Sequence, residues 1–135
     1  ENKEFYSIKA AHNGYEKKFG YIHTRDIKIF KNEDRIVGED TLEKTKNYLN
    51  PSYYAVRFHI YHNIKIAKTK SGNSILISLS NGEGWLLKSQ TNNLNIEKSL
   101  FLGNRNKVIN NESIFMSGDI LNDIISIKWE IKKVS

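Results

Sequence analysis

The chain has 135 residues and a mass of 15.7 kDa, enough for one domain with one core and too little for a second of ordinary size. With 39% hydrophobic and 27% charged residues and a single Pro it reads as a folded globular chain, and the lack of Cys excludes disulfide scaffolds, thiolate zinc sites and cysteine nucleophiles. The formal charge of +6 favours anionic partners, but the basic residues are dispersed among acids and no apolar run is long enough to cross a bilayer, so neither nucleic acid nor a membrane is expected as a partner.

The N-terminal ENKEFYSIKA carries mixed charges and no apolar core follows it, unlike a signal peptide; it starts without Met in what reads as a strand. The expectation is one domain over residues 1–135 that forms part of a larger protein. Apolar and polar residues alternate through Ile27 to Phe30, the mark of a strand with one face in a core, and Asn32-Glu33-Asp34 signals the turn after it. Thr41 to Asn50 lacks a persistent apolar stripe and precedes Pro51, which predicts a long loop. Alternation returns at Ile64 to Ala67 and at Ser74 to Ser80, on either side of a Ser71-Gly72-Asn73 turn.

Asn81-Gly82 predicts a two-residue type I′ hairpin, because both central residues of that turn need positive φ. Such a loop sets Leu79 opposite Gly84, Ser78 opposite Trp85 and Ile77 opposite Leu86, with Trp85 and Leu87 on the other face beside Leu76. Further strands follow at Leu94 to Leu102 and Ile125 to Lys132, bounded by turn signals at Gly103-Asn104 and Asn122-Asp123. The series predicts an all-β fold, an antiparallel β-sandwich or multilayer sheet.

There are four histidines, and no pair has the spacing of a known metal-ligand motif; His59 and His62 have opposite strand parity. Arg57, His59 and Tyr61 share a face of one strand, as His23 and Arg25 do of another. Such faces could bind a carboxylate or sulfate, since Arg offers a bidentate fork and His a further donor; the competing reading is a polar network that ties strands together or packs on another domain. No strand-turn-helix elbow surrounds a Ser, and Asp40, Glu83 and Glu97 show no pairing that would mark a glycosidase. Trp85 and Trp129 lie inside alternating strands and read as core.

Taken in order, several segments resemble the C-terminal sheet domain of the heparinase II/III-like polysaccharide lyases. Ala11-His12-Asn13-Gly14-Tyr15 is similar to that family's His-Asp-Gly-Tyr segment, Gly20 to Arg25 to its Gly-x-x-His-x-Arg strand, and Gly38-Glu39-Asp40 to its Gly-x-Asp. Arg57-Phe58-His59-Ile60 resembles its Arg-Phe-His-Leu strand, Asn81-Gly82-Glu83-Gly84-Trp85 its Asn-Gly-x-Gly-Trp hairpin, Ile96 to Ser99 its Glu-x-Ser strand and Ile127-Lys128-Trp129 its final strand. Asn13 departs from the usual Asp, and Tyr61-His62 from the usual His-Pro.

The resemblance implies a supersandwich-like sheet domain attached to an N-terminal α-helical toroid, in a parent that cleaves acidic, uronate-containing glycans by β-elimination. It implies that no catalytic residue lies in this chain and that a divalent metal such as zinc, held by a His-Asp-His set, sits elsewhere in the parent. Acidic polysaccharide and the toroid are the implied partners, and the periplasm the implied compartment. His23, Arg25, Arg57 and His59 are the candidate glycan-facing or domain-interface residues, and Asn81, Gly82, Trp85 and Trp129 the structural ones. The alternative is a stand-alone, non-catalytic carbohydrate-binding or structural interaction domain.

Overall fold

The structure, a computed structural model, describes residues 5–12, 20–45, 53–61, 63–90, 94–102, 108–120 and 122–135. Asn13-Gly14-Tyr15, most of the predicted loop, His62 and the Gly103-Asn104 turn lie outside them. The described residues form ten strands and no helix: β1 (Phe5–His12), β2 (Tyr21–Phe30), β3 (Arg35–Lys44), β4 (Tyr53–Ile60), β5 (Lys65–Lys68), β6 (Ser74–Ser78), β7 (Gly84–Ser89), β8 (Leu94–Leu102), β9 (Val108–Asp119) and β10 (Ile124–Lys133). Seven make a large sheet in the order β1-β2-β3-β10-β7-β6-β5, and three make a small one in the order β4-β9-β8. Every pairing is antiparallel, so the all-β, antiparallel expectation holds.

The core forms where the apolar faces of the two sheets meet. Ile75, Leu87, Ile127 and Trp129 come from the large sheet, and Val56, Leu94, Ile114 and Met116 from the small one; all eight are buried in one cluster. Burying side chains of this size stabilises the fold by about 1.5–3 kcal/mol each. In β10 alternation places Ile127 and Trp129 inward while Ser126 and Lys128 are exposed. The stripe continues onto β1, where Tyr6 pairs with Ile29 and Ile8 with Ile27, yet Tyr6, Ile8 and Ile29 are exposed.

Two expectations need correction. The predicted loop begins too early, because Thr41–Lys44 is the end of β3, paired with β2 on one side and, through Glu43, with β10 on the other. Leu42 is buried, and the backbone N–H of Thr45 donates to the Gly20 carbonyl at 2.7 Å. The apolar alternation fails here because Leu42 stands between Asp40 and Lys44 at the positions of its own parity.

The hairpin between β6 and β7 is also one residue out of the predicted register. Ser78 faces Gly84, Ile77 faces Trp85 and Leu76 faces Leu86. Leu79 donates to the Glu83 carbonyl at 2.9 Å and accepts from the Gly82 N–H at 3.1 Å, which closes a three-residue loop, Ser80 to Gly82, in place of a type I′ turn. Asn81 turns its side chain inward on the loop, its Oδ1 accepting the Glu83 N–H at 2.9 Å, and Gly82 takes positive φ at 91°. A slip of one residue exchanges faces, so Ile75, Ile77, Trp85 and Leu87 share the core side, and Leu76 and Leu86 the other.

Candidate functional site

The most concentrated polar chemistry among the described residues surrounds Asp40 on β3. Arg25 on β2 lies directly across from it, and His23, two residues earlier on β2, leans in on the same face. Asp40 is 0% exposed, against 17% for the His23 side chain and 24% for that of Arg25. Its Oδ1 sits 2.6 Å from His23 Nε2 and accepts Arg25 Nε–H at 2.8 Å; its Oδ2 accepts the indole N–H of Trp129 at 2.8 Å.

Burial opposes ionisation of Asp40, but the hydrogen bond from His23, the hydrogen bond and charge of Arg25 and the Trp129 N–H together hold its carboxyl below the usual carboxylate range. The buried carboxylate is thus a fixed acceptor that orients three donors. The Arg25 guanidinium also stacks 4.3 Å from the centre of the Phe58 ring on β4, and Phe58 meets Trp129 edge-on at 5.0 Å. Asp40, Arg25, Phe58 and Trp129 therefore close a circuit of contacts that joins the two sheets. Trp129 can reach Asp40 because its Cα partner on β3 is Gly38: a Cβ there would lie 2.1 Å from Cζ2 of the indole.

The structure separates the four candidate glycan-facing or interface residues into two groups. His23 and Arg25 belong to the Asp40 cluster, whereas Arg57 and His59 lie on the outer face of the small sheet, opposite Phe115 and Ser113. There Arg57 Nη2 donates to Glu97 Oε2 at 3.2 Å, its Cζ lies 5.7 Å from the Phe115 ring centre, and His59 Nδ1 is 3.2 Å from Ser113 Oγ. A single hydrogen bond among the described residues links the groups, from Arg25 Nη2 to the Arg57 carbonyl at 3.4 Å. Of the four candidate structural residues, Trp129 is buried in the core, Trp85 is half-buried with its indole N–H donating to Glu83 at 3.2 Å, and Asn81 and Gly82 form the exposed hairpin loop.

A hollow of about 550 Å³ lies between β2, β3, β10 and β7, lined among others by Asp26, Lys28, Glu39, Lys88, Lys128 and Trp129. Asp26 Oδ1 is buried there without a hydrogen-bond partner among the described residues. Among the described residues no three His, Asp or Glu side chains converge where a cation could be held.

The model of the heparinase II/III-like family, C-terminal part, matches residues 1–130. The chain belongs to the heparinase II/III-like family. The heparan sulfate lyase HepC from Pedobacter heparinus shares the fold of this C-terminal domain, with a TM-score of 0.73 over 98% of the chain at 11% identity. A mutant of that lyase aligns equally well, and a heparinase III gives a TM-score of 0.69 over 98% of the chain at 12% identity. In each case the chain spans only 20% of the solved lyase. No curated protein sequence matches at a significant level. Within the heparinase II/III-like domain, Asp40 is the residue whose role the sequence leaves unassigned: there it is the acid of Gly38-Glu39-Asp40 and one of three carboxylates without a visible pairing, and its signal is an acidic side chain at an inward position of an alternating strand.

Proposed function

We propose that this chain is the sheet domain that completes a polysaccharide lyase acting on acidic, uronate-containing glycans by β-elimination, and that its part is to support the fold and line one edge of the glycan cleft. The observation that carries the reading is the family match over residues 1–130 in a chain that spans 20% of the solved lyases it resembles. β-Elimination needs a group that neutralises the uronate carboxylate, a base for the C5 proton and an acid for the leaving oxygen.

The side chains of this domain suit support better than proton transfer. His23 is held on Asp40, and the Tyr54 hydroxyl is pushed above its ordinary range by burial and then by the charge of Asp119, the wrong direction for a base. The catalytic Tyr and His, a divalent metal such as zinc and the helical toroid belong, in this reading, to the rest of the parent, in the periplasm.

The test is ultraviolet absorbance of the full-length parent with heparan sulfate, alginate and related acidic polysaccharides, with this chain alone as control. Unsaturated uronate is expected from the parent only. Silence from the parent across the panel overturns the lyase reading.

A further inference from the structure

The outer face of the small sheet carries a row of side chains that crosses all three of its strands. Arg57 on β4 lies opposite Phe115 on β9, which lies opposite Asn95 on β8. Lys68 of β5 reaches over from the large sheet and donates to Asn95 Oδ1 at 3.1 Å. The row therefore reads cation, aromatic ring, amide, cation, across about 10 Å between the outer strands.

Each member is held in a defined orientation. Glu97 engages Arg57 Nη2, and both side chains stay well exposed, at 45% and 41%, so the guanidinium is anchored at one nitrogen beside the Phe115 ring and keeps contact with solvent. An ammonium can only donate, so Lys68 fixes Asn95 with its oxygen toward the lysine and its NH₂ turned away as a donor. In the next row His59, Ser113 and Glu97 lie opposite one another; Ser113 is buried with its Oγ on His59 Nδ1, and the exposed Glu97 adds a carboxylate to the face.

We infer that this face binds an acidic oligosaccharide, one sugar ring lying on Phe115 with its acidic groups on Arg57 and Lys68 and its hydroxyls on Asn95 and Glu97. A sugar presents an apolar ring face and a rim of hydroxyls, and the row offers an aromatic surface flanked by both donors and acceptors. The two cations at its ends, in a chain of net charge +6, select carboxylated or sulfated sugars over neutral ones. The inference rests on the acidic-glycan reading above and assigns the ligand a place on the sheet.

The test is amide-shift titration of the 135-residue chain with a sulfated, uronate-containing tetrasaccharide, and with a neutral tetrasaccharide as control. Shifts centred on residues 57, 95, 97, 113 and 115 are expected with the acidic sugar alone. Arg57→Gln and Lys68→Gln should each weaken binding about tenfold, the loss of one charged hydrogen bond. Lys28→Gln, on the outer face of the large sheet, should leave binding unchanged. Both Arg57 and Lys68 are exposed, so the folded spectrum survives either change, and each checks the other.

Shifts centred on Lys28, Lys88 and Lys128, or equal affinity in all three variants, overturn the site. An active parent whose sheet domain binds no acidic tetrasaccharide overturns the site and leaves the lyase reading standing. A parent that yields no unsaturated uronate while this chain binds through Arg57 upholds the site and overturns the lyase reading.

Discussion

The indole of Trp129 occupies the space that a side chain at residue 38 would need: a Cβ on Gly38 would fall 2.1 to 2.6 Å from three of its ring atoms. Neither ring nor strand can yield easily, because Trp129 is also held by Asp40 and by Phe58. Gly38→Ala should therefore displace the indole, break its hydrogen bond to Asp40 and cost about 2–4 kcal/mol, combining overpacking with an unmade buried bond. Urea unfolding measures it, and a loss below about 0.5 kcal/mol would show that the indole has room elsewhere.

Two substitutions at Trp129 separate its packing from its hydrogen bond. Trp129→Ala should cost about 3–5 kcal/mol, the usual range for removing a large buried aromatic. Trp129→Phe keeps most of the apolar contact but leaves Asp40 Oδ2 without its donor, and about 1–3 kcal/mol should be lost. Equal losses for the two would mean that the N–H contributes most of the effect.

Asp40→Asn should cost about 3 kcal/mol, because it leaves Arg25 and His23 facing a neutral group; the partial exposure of Arg25 keeps the value at the low end for a broken buried pair. The pH dependence has a definite sign. The folded carboxyl titrates below its ordinary 3.8, so its contribution is complete above that pH and is lost as the pH falls through the lowered folded value. The difference in melting temperature between the unmutated chain and Asp40→Asn should shrink as the pH falls below about 3.8. A difference that grows in acid would refute an ionised Asp40.

At Gly82 a Cβ would meet nothing within 4 Å, so a substitution there reports backbone strain alone. With φ at 91°, Gly82→Val should cost about 1–2 kcal/mol, roughly 4–7 °C in melting temperature, while Gly82→Asn should cost less. Identical melting temperatures for Val and Asn would mean that the loop changes conformation at no cost.

Strand alternation makes most of this fold legible, and it fails where an inward position is polar. β10 reads cleanly because Ile125, Ile127, Trp129 and Ile131 recur at every second residue, whereas β3 reads as ending early because Asp40 stands between Gly38 and Leu42. β9 carries the polar run Asn110 to Ser113 in its first half, which hides a strand of 12 residues. The Asn81-Gly82 signal locates the hairpin but misplaces its register, since the loop takes in Ser80 as well, closed by Leu79 and Glu83, with the Asn81 side chain on the Glu83 N–H and Gly82 at positive φ. For the site, parity alone puts His23 and Arg25 on one face. It says nothing about which strand lies across from them, so Asp40 as their shared acceptor, and the placing of Arg57 and His59 on a different sheet, emerge only from tertiary pairing.

The position of β10 bears on how the chain acquires its fold. Residues 124–133 lie between β3 and β7 in the large sheet, and no other described strand joins the β1-β2-β3 meander to the β5-β6-β7 one. Two local meanders can form early, but the sheet closes only when the latest strand in sequence slots between them, with pairings such as Lys132 to Arg35 that span most of the chain. Folding of so non-local a topology is expected to be slow, and while a ribosome is still making residues 124–133 both meanders would present unpaired strand edges to whatever chaperones attend them.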